Sequence, residues 1–323
     1  MARVISEVSL AAQALQRGEL VAFATETVYG LGGVALWPET VARIFEVKGR
    51  PTFDPLIVHV PDLASVRALV TEFPPLAQQL AREFWPGPLT LVLPKAACIP
   101  DLVTSGLPSV AVRIPSHPLA LQLLREVGLP IAAPSANLFG RVSPTTAAHV
   151  ADQLGNRIEW ILDGGPCEVG VESTVLAIPA SGPPTLLRPG GITLEQIETL
   201  IGTVLLPSGN SACKADTSPR PQLAPGSLPQ HYAPVTPVSI GDLAADPRPG
   251  RFGALAFACC PRPERYAAVE ILSPSGNLSQ AAAALFAALR RLDAVLLDGI
   301  IAERFPDEGL GRAINDRLQR AAY

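Results

Sequence analysis

Six short segments of this 323-residue chain bring glycine, hydroxyl and cationic residues together in ways that suit an anion. In Lys48-Gly-Arg50-Pro-Thr-Phe-Asp54-Pro-Leu, two cations flank a glycine and two prolines stiffen the turn. Lysine supplies a point charge and arginine a planar fork, a pair suited to a polyphosphate. The same pattern also describes a solvated surface pair, in which a loop cation contributes little to folding. The segment Thr25-Glu-Thr27-Val-Tyr-Gly-Leu-Gly-Gly33 follows an apolar run, and strand ends of α/β sheets are where ligands bind. Gly30, Gly32 and Ala35 formally satisfy a dinucleotide fingerprint, but Trp37-Pro38 falls where its helix should already be running. A tight turn with nearby polar residues is the plainer reading.

Ser109-Val-Ala-Val-Arg113-Ile-Pro sets an arginine in an apolar strand. Burying a guanidinium without a partner is costly, so either a protein carboxylate or a ligand carboxylate must meet it. Ala132-Ala133-Pro-Ser135-Ala-Asn137 puts small polar groups at a strand end, and Ser143-Pro-Thr then opens a helix. A helix N-terminus with a free hydroxyl attracts phosphate, although Ser143 also suits an ordinary cap. Glu172-Ser173-Thr and Arg188-Pro-Gly each adjoin a short strand, and His59 lies in Ile-Val-His-Val, where a core histidine is the commoner outcome. The sequence has no Gly-x-x-x-x-Gly-Lys-Ser/Thr loop, no Gly-x-Ser-x-Gly elbow and no His/Cys/Asp cluster at metal spacing.

The elements that must position these residues are legible from periodicity. Apolar runs at Leu20–Ala24, Leu56–Val60, Leu89–Leu93, Val110–Ile114 and Ile131–Ala133 have strand length. Helical patterns lie at Glu39–Val47, Leu63–Glu72, Leu76–Phe84, Leu119–Val127 and Thr145–Leu154. Asp62, Ser143 before Pro144, and Thr193 with Gln196 read as start signals. Helices do not separate every pair of strands, so a mixed sheet is expected. From about residue 203 to 234 the chain turns to proline and small polar residues, a linker. Val235–Ile240, Gly253–Ala258, Leu278–Leu292, Ala294–Leu297 and a helix near Leu310–Ala322 make a second, smaller α/β unit.

Composition narrows the class. Hydrophobic residues make up 48% and charged residues 17%, an ordinary globular balance, and no apolar run reaches the ~18 residues that span a bilayer. The N-terminus lacks the look of a signal peptide, so a cytoplasmic protein is expected. Five scattered cysteines predict neither a disulfide framework nor a zinc site. A net charge of -4 and a pI near 5.6 lack the footprint of a stable nucleic-acid binder.

Taken in order, these segments resemble the threonylcarbamoyl-AMP synthases, the YrdC-like family, in its long two-domain form. The match is carried by Thr25-Glu-Thr-Val-Tyr-Gly-Leu-Gly, Lys48-x-Arg50, Arg113-Ile-Pro, Pro134-Ser-Ala-Asn137, Glu172-Ser-Thr-Val, Arg188-Pro-Gly, the linker's His231-Tyr-Ala-Pro234 and the closing Gly309–Leu318. The resemblance implies a twisted mixed-sheet catalytic domain at 1–202, a linker or lid at 203–234 and a Rossmann-like α/β domain at 235–323. It implies that ATP, L-threonine and bicarbonate give threonylcarbamoyl-AMP, pyrophosphate and water, with Mg2+ but no protein ligand assigned to it, and that a downstream tRNA-modifying machinery takes the product.

Lys48 and Arg50 would be catalytic, and they would hold ATP with Asp54, Ser109, Ser135, Asn137, Ser143, Arg188 and Tyr232. Thr27, His59, Arg113, Ala133 and Ser173 would hold threonine. Two departures stand out: Asp54 replaces the family's usual asparagine, and Pro225-Gly-Ser-Leu-Pro-Gln230 replaces Pro-Gly-Met and basic residues. The competing readings are a carbamoyl-transfer module of hydrogenase maturation, a non-catalytic RNA-binding protein and a nicotinamide-dependent oxidoreductase.

Overall fold

The computed structural model describes residues 1–179, 182–206, 231–245 and 249–322; most of the predicted linker, 207–230, lies outside them. Fourteen strands appear among the described residues: β1 (Arg3–Ile5), β2 (Val21–Phe23), β3 (Gly30–Val34), β4 (Ile57–His59), β5 (Leu89–Pro94), β6 (Ser109–Arg113), β7 (Ile131–Ala132), β8 (Trp160–Leu162), β9 (Thr174–Ala177), β10 (Thr185–Arg188), β11 (Val238–Ile240), β12 (Phe252–Ala256), β13 (Ala268–Ile271) and β14 (Gly299–Ala302). The helices are α1 (Val8–Gln16), α2 (Pro38–Lys48), α3 (Leu63–Leu69), α4 (Pro75–Phe84), α5 (Asp101–Thr104), α6 (Pro118–Val127), α7 (Ala147–Leu154), α8 (Leu194–Ile201), α9 (Leu278–Asp293) and α10 (Gly309–Ala321).

The first ten strands form one sheet in the order β1-β8-β2-β3-β7-β4-β6-β5-β9-β10. It is mixed, as expected: β4 and β6 run parallel, while β3 pairs antiparallel with both β2 and β7. The second sheet, β11-β14-β12-β13, is wholly parallel, with α9 and α10 following its strands. Parallel strands need crossover connections, and α9 supplies the one from β13 to β14.

Local signals account for several element ends. Asp62 caps α3 by accepting from the Ser65 amide, and Thr193 with Gln196 forms the predicted capping box on α8. Ser143 does not cap a helix; Thr146 caps α7, because Ser143 turns its hydroxyl to Glu172. In the second unit Ala294–Leu297 is a turn, with Leu296 at a φ of 57°, and the strand comes after it as β14.

The glycine segment Gly30–Val34 is a buried strand, not a phosphate loop. A Cβ on Gly32 would lie 2.7 Å from the Phe23 ring, and one on Gly33 2.5 Å from Thr40 Cγ2, so these glycines admit close packing across the sheet. That removes the dinucleotide fingerprint.

The two units share an apolar cluster. Val28, Val142 and Val171 of the first pack with Leu285, Phe286 and Ile314 of the second. Gly170 lets α9 come close, since a Cβ there would meet the Ala283 backbone at 2.4 Å. Arg290 of α9 donates to the Val142 carbonyl at 2.5 Å.

Candidate functional site

Strand pairing makes the site. β4 and β6 are parallel and in register, so His59 and Arg113 sit side by side at their carboxyl ends. The Ala133–Ser135 segment crosses behind them and is tied to β3 by the Leu31 amide donating to the Pro134 carbonyl at 2.7 Å. Thr25 shapes the loop after β2 by accepting from the Thr27 and Val28 amides. These pieces line one partly open pocket. Thr27, Arg50, His59, Arg113, Ala133, Ser135, Ser173, Arg188 and Tyr232, all singled out from the sequence, line it.

Lys48 is buried at the end of α2, and Gly49, at a φ of 63°, reverses the chain after it. The lysine Nζ donates to the carbonyls of Ser135 and Asn137, each at 2.5 Å. It is therefore a structural tie as well as a charge beside the cavity, which corrects the expectation of a loop cation with little part in folding. Burial, then the neighbouring Arg50, pushes its pKa well below the usual lysine value. Arg50 donates to the carbonyls of Asp54 and Pro55 and forms a 3.0 Å ion pair with the fully buried Asp54 carboxylate. Asp54 thus has an arginine for partner. Asn137 braces its loop, donating to the Leu138 and Arg141 carbonyls.

Arg113 had two possible partners, and a protein carboxylate is present: Glu26 lies 2.6 Å away, with both side chains buried. The guanidinium also donates to the Gly87 carbonyl and Thr27 Oγ1. Its five N–H donors exceed these three partners, and the residue lines the cavity. Burial alone would raise the Glu26 pKa, but Arg113 outweighs it and holds the carboxyl below its usual range. Burial, then the adjacent Arg113 charge, drives His59 down to about 3, so its imidazole is neutral. His59 Nδ1 is buried without a hydrogen-bond partner.

Ser173 and Arg188 form the opposite wall. Arg188 donates to the Ser173 carbonyl and hydroxyl, and Ser173 shares a 2.8 Å hydrogen bond with Thr90. Ser143 is not a lining residue; it donates to Glu172, which is. Ser109 lies at the far end of β6 from Arg113, half-buried, and is not among the lining residues either.

Four groups here were given no role from the sequence: Glu26, Glu172, His231 and Arg317. Tyr232 lines the cavity while stacking on Phe286 of α9, with 5.8 Å between ring centroids, and under Arg317 of α10 at 4.9 Å. It therefore lines the cavity and packs against the second unit at once. The Ala233 amide donates to the Gly140 carbonyl and the His231 amide to the Arg320 carbonyl.

Among the described residues, no group of three or more His, Cys, Asp or Glu side chains could hold a metal ion, and no helix is long and apolar enough to cross a membrane.

Residues 13–190 match the Sua5/YciO/YrdC family model, described as "Telomere recombination", and residues 192–323 match "Threonylcarbamoyl-AMP synthase, C-terminal domain". The chain is 45% identical to the threonylcarbamoyl-AMP synthase of Bacillus subtilis, covering 98% of this chain and 93% of the relative. It is 42% identical to that of Pyrococcus abyssi, covering 98% and 94%. It also resembles the crystal structure of P. abyssi Sua5 complexed with L-threonine, at a TM-score of 0.88 and 40% identity, covering 100% of this chain and 97% of that one.

Proposed function

Since the chain belongs to the threonylcarbamoyl-AMP synthase family, we propose that its cavity holds threonine against the β4–β6 strand ends and ATP against Arg50, Ser135 and Arg188. The observation that carries this reading is the convergence of Arg50, Arg113 and Arg188, from three separate segments, on one cavity. Three guanidiniums offer more N–H donors than threonine's single carboxylate needs, and the surplus donors suit a triphosphate. The match of residues 192–323 to the synthase C-terminal domain disfavours the hydrogenase-maturation alternative.

In this reading Arg113 takes the threonine carboxylate. Glu26 already compensates much of that arginine's charge, so binding rests on oriented donors more than on net attraction. His59, neutral and with a bare Nδ1, accepts a hydrogen bond from the threonine hydroxyl or amine. Thr27 and Ser173 offer hydroxyls, and Ala133 shapes the floor.

The amine takes up bicarbonate with loss of water, and a carbamate oxygen attacks the α-phosphorus of ATP and expels pyrophosphate. Arg50 and Arg188, with Lys48 behind them, stabilise charge on the phosphoryl oxygens, and no covalent enzyme intermediate is needed. Asp54 is engaged with Arg50, and among the described residues it belongs to no group of three or more His, Cys, Asp or Glu side chains that could hold a metal ion. The residues therefore do not fit a resident magnesium ion; Mg2+ enters as part of the nucleotide complex. Tyr232 closes a wall that keeps water from the mixed anhydride, which a tRNA-modifying partner in the cytoplasm then collects.

The test is an incubation of the protein with threonine, labelled bicarbonate, ATP and Mg2+. Threonine-dependent pyrophosphate release with labelled threonylcarbamoyl-AMP is expected; release that ignores threonine removes the reading.

A further inference from the structure

The cavity belongs to the first unit, yet one of its wall residues is paired with a charge from the second. Arg317 of α10 is fully buried, its Nε 2.7 Å from the Glu172 carboxylate, and its Nη2 donates to the Pro189 carbonyl at 3.1 Å. Asp316 lies 2.5 Å from its Nη1, and its guanidinium covers the Tyr232 ring. Glu172 and Tyr232 both line the cavity, and Pro189 follows Arg188 directly. Arg317 thus reaches three neighbours of Arg188 without touching the cavity itself. A stability role alone could be filled by apolar packing, since buried ion pairs are often replaceable that way.

We propose that Arg317 is a positioning residue of the adenylation site, engaging the Glu172 carboxylate so that it does not compete with nucleotide phosphate for Arg188, and seating Tyr232 in the cavity wall. The second domain is then a working part of the ATP site. Glu172 and Arg188 line the same cavity, and the Gly191 amide, three residues after Arg188, donates to the Glu172 carbonyl at 3.1 Å, so the two charges lie within electrostatic reach. With Arg317 removed, Arg188 is the next cation acting on the buried carboxylate. An arginine that neutralises Glu172 is poorer at binding phosphate. The proposal rests on the assignment of Arg188 to ATP phosphate.

The experiment measures pyrophosphate release by the full chain, varying ATP and threonine separately, with thermal unfolding recorded for every variant. R317M raises the ATP KM at least ~10-fold while the threonine KM moves less than ~3-fold, a coupling range usual for residues in one charge network. R317M/E172Q, which removes the competing carboxylate, regains most of the lost ATP affinity. R317K keeps a charge for Glu172 but not the planar contacts, and falls between R317M and the parent.

An unchanged ATP KM in R317M, or a double variant no better than R317M, overturns the proposal, because a merely structural residue would not be rescued by a second substitution in its partner. If R317M does not fold, R317K with and without E172Q carries the same comparison, and an unchanged ATP KM in R317K overturns it equally. R188A separates the premise: if it leaves the ATP KM unchanged, the phosphate assignment itself fails. If R188A raises the ATP KM and R317M does not, only the role of Arg317 falls.

Discussion

The Arg113 guanidinium and the Glu26 carboxylate, 87 positions apart in the chain, lie 2.6 Å from each other inside the protein. The pair makes Arg113 part of the core as well as part of the cavity wall. Arg113→Lys loses the fork that serves Gly87, Thr27 and Glu26 together. The variant is expected to raise the threonine KM at least ~10-fold and to lose about 1–3 kcal/mol of stability through unmet buried groups. Threonine-dependent kinetics and chemical denaturation read the two effects, and an unaltered threonine dependence returns Arg113 to a purely structural ion pair.

Glu26 gives the same pair a pH signature. Its folded pKa is depressed, so its contribution to stability is complete above the unfolded value of about 4.3 and disappears as pH falls through the lower folded value. Denaturation midpoints of the parent and of Glu26→Gln should therefore converge as pH drops below that range. A gap that stays constant into strong acid contradicts the pairing.

His59 acts in the same direction but from a higher pH. Its folded pKa of about 3 lies far below the unfolded ~6.5, so the unfolded chain binds this proton first and stability falls from about pH 6.5 downward. NMR of the ring should show no titration of His59 between pH 8 and 5. A midpoint near 6.5 would mean that the imidazole is hydrated and charged.

Lys48→Ala should lose both activity and stability. Two buried carbonyls are left without their donor, at about 1–3 kcal/mol each, and a charge beside the proposed phosphate site goes as well, so turnover falls by ~100-fold or more. Unfolding curves and pyrophosphate assays measure these independently. Parent-like stability would place the lysine in solvent.

Tyr232 separates by substitution. Its hydroxyl has no hydrogen-bond partner, so Tyr232→Phe should fold as stably as the parent. Tyr232→Ala removes a fully buried ring that joins the two units, at about 3–5 kcal/mol. Equal stability of both variants would show that the ring is not packed between them.

The sequence by itself determined the alternation of strands and helices, the mixed character of the first sheet, the caps at Asp62 and Thr193, and the segments that converge on the cavity. Those signals are local: a period of two or 3.6 residues, a capping hydroxyl and a proline each act within a turn or two of their own position. Tertiary structure alone decided that Gly30–Val34 is a strand, because glycine has no side chain to announce which face is buried, and only Phe23 and Thr40 across the packing require its absence. It decided that Ser143 serves Glu172 instead of a helix. It also chose Glu26 for Arg113 and Glu172 for Arg317, because a buried charge must find an opposite one wherever the fold brings it, and no spacing along the chain records a partner 145 positions away.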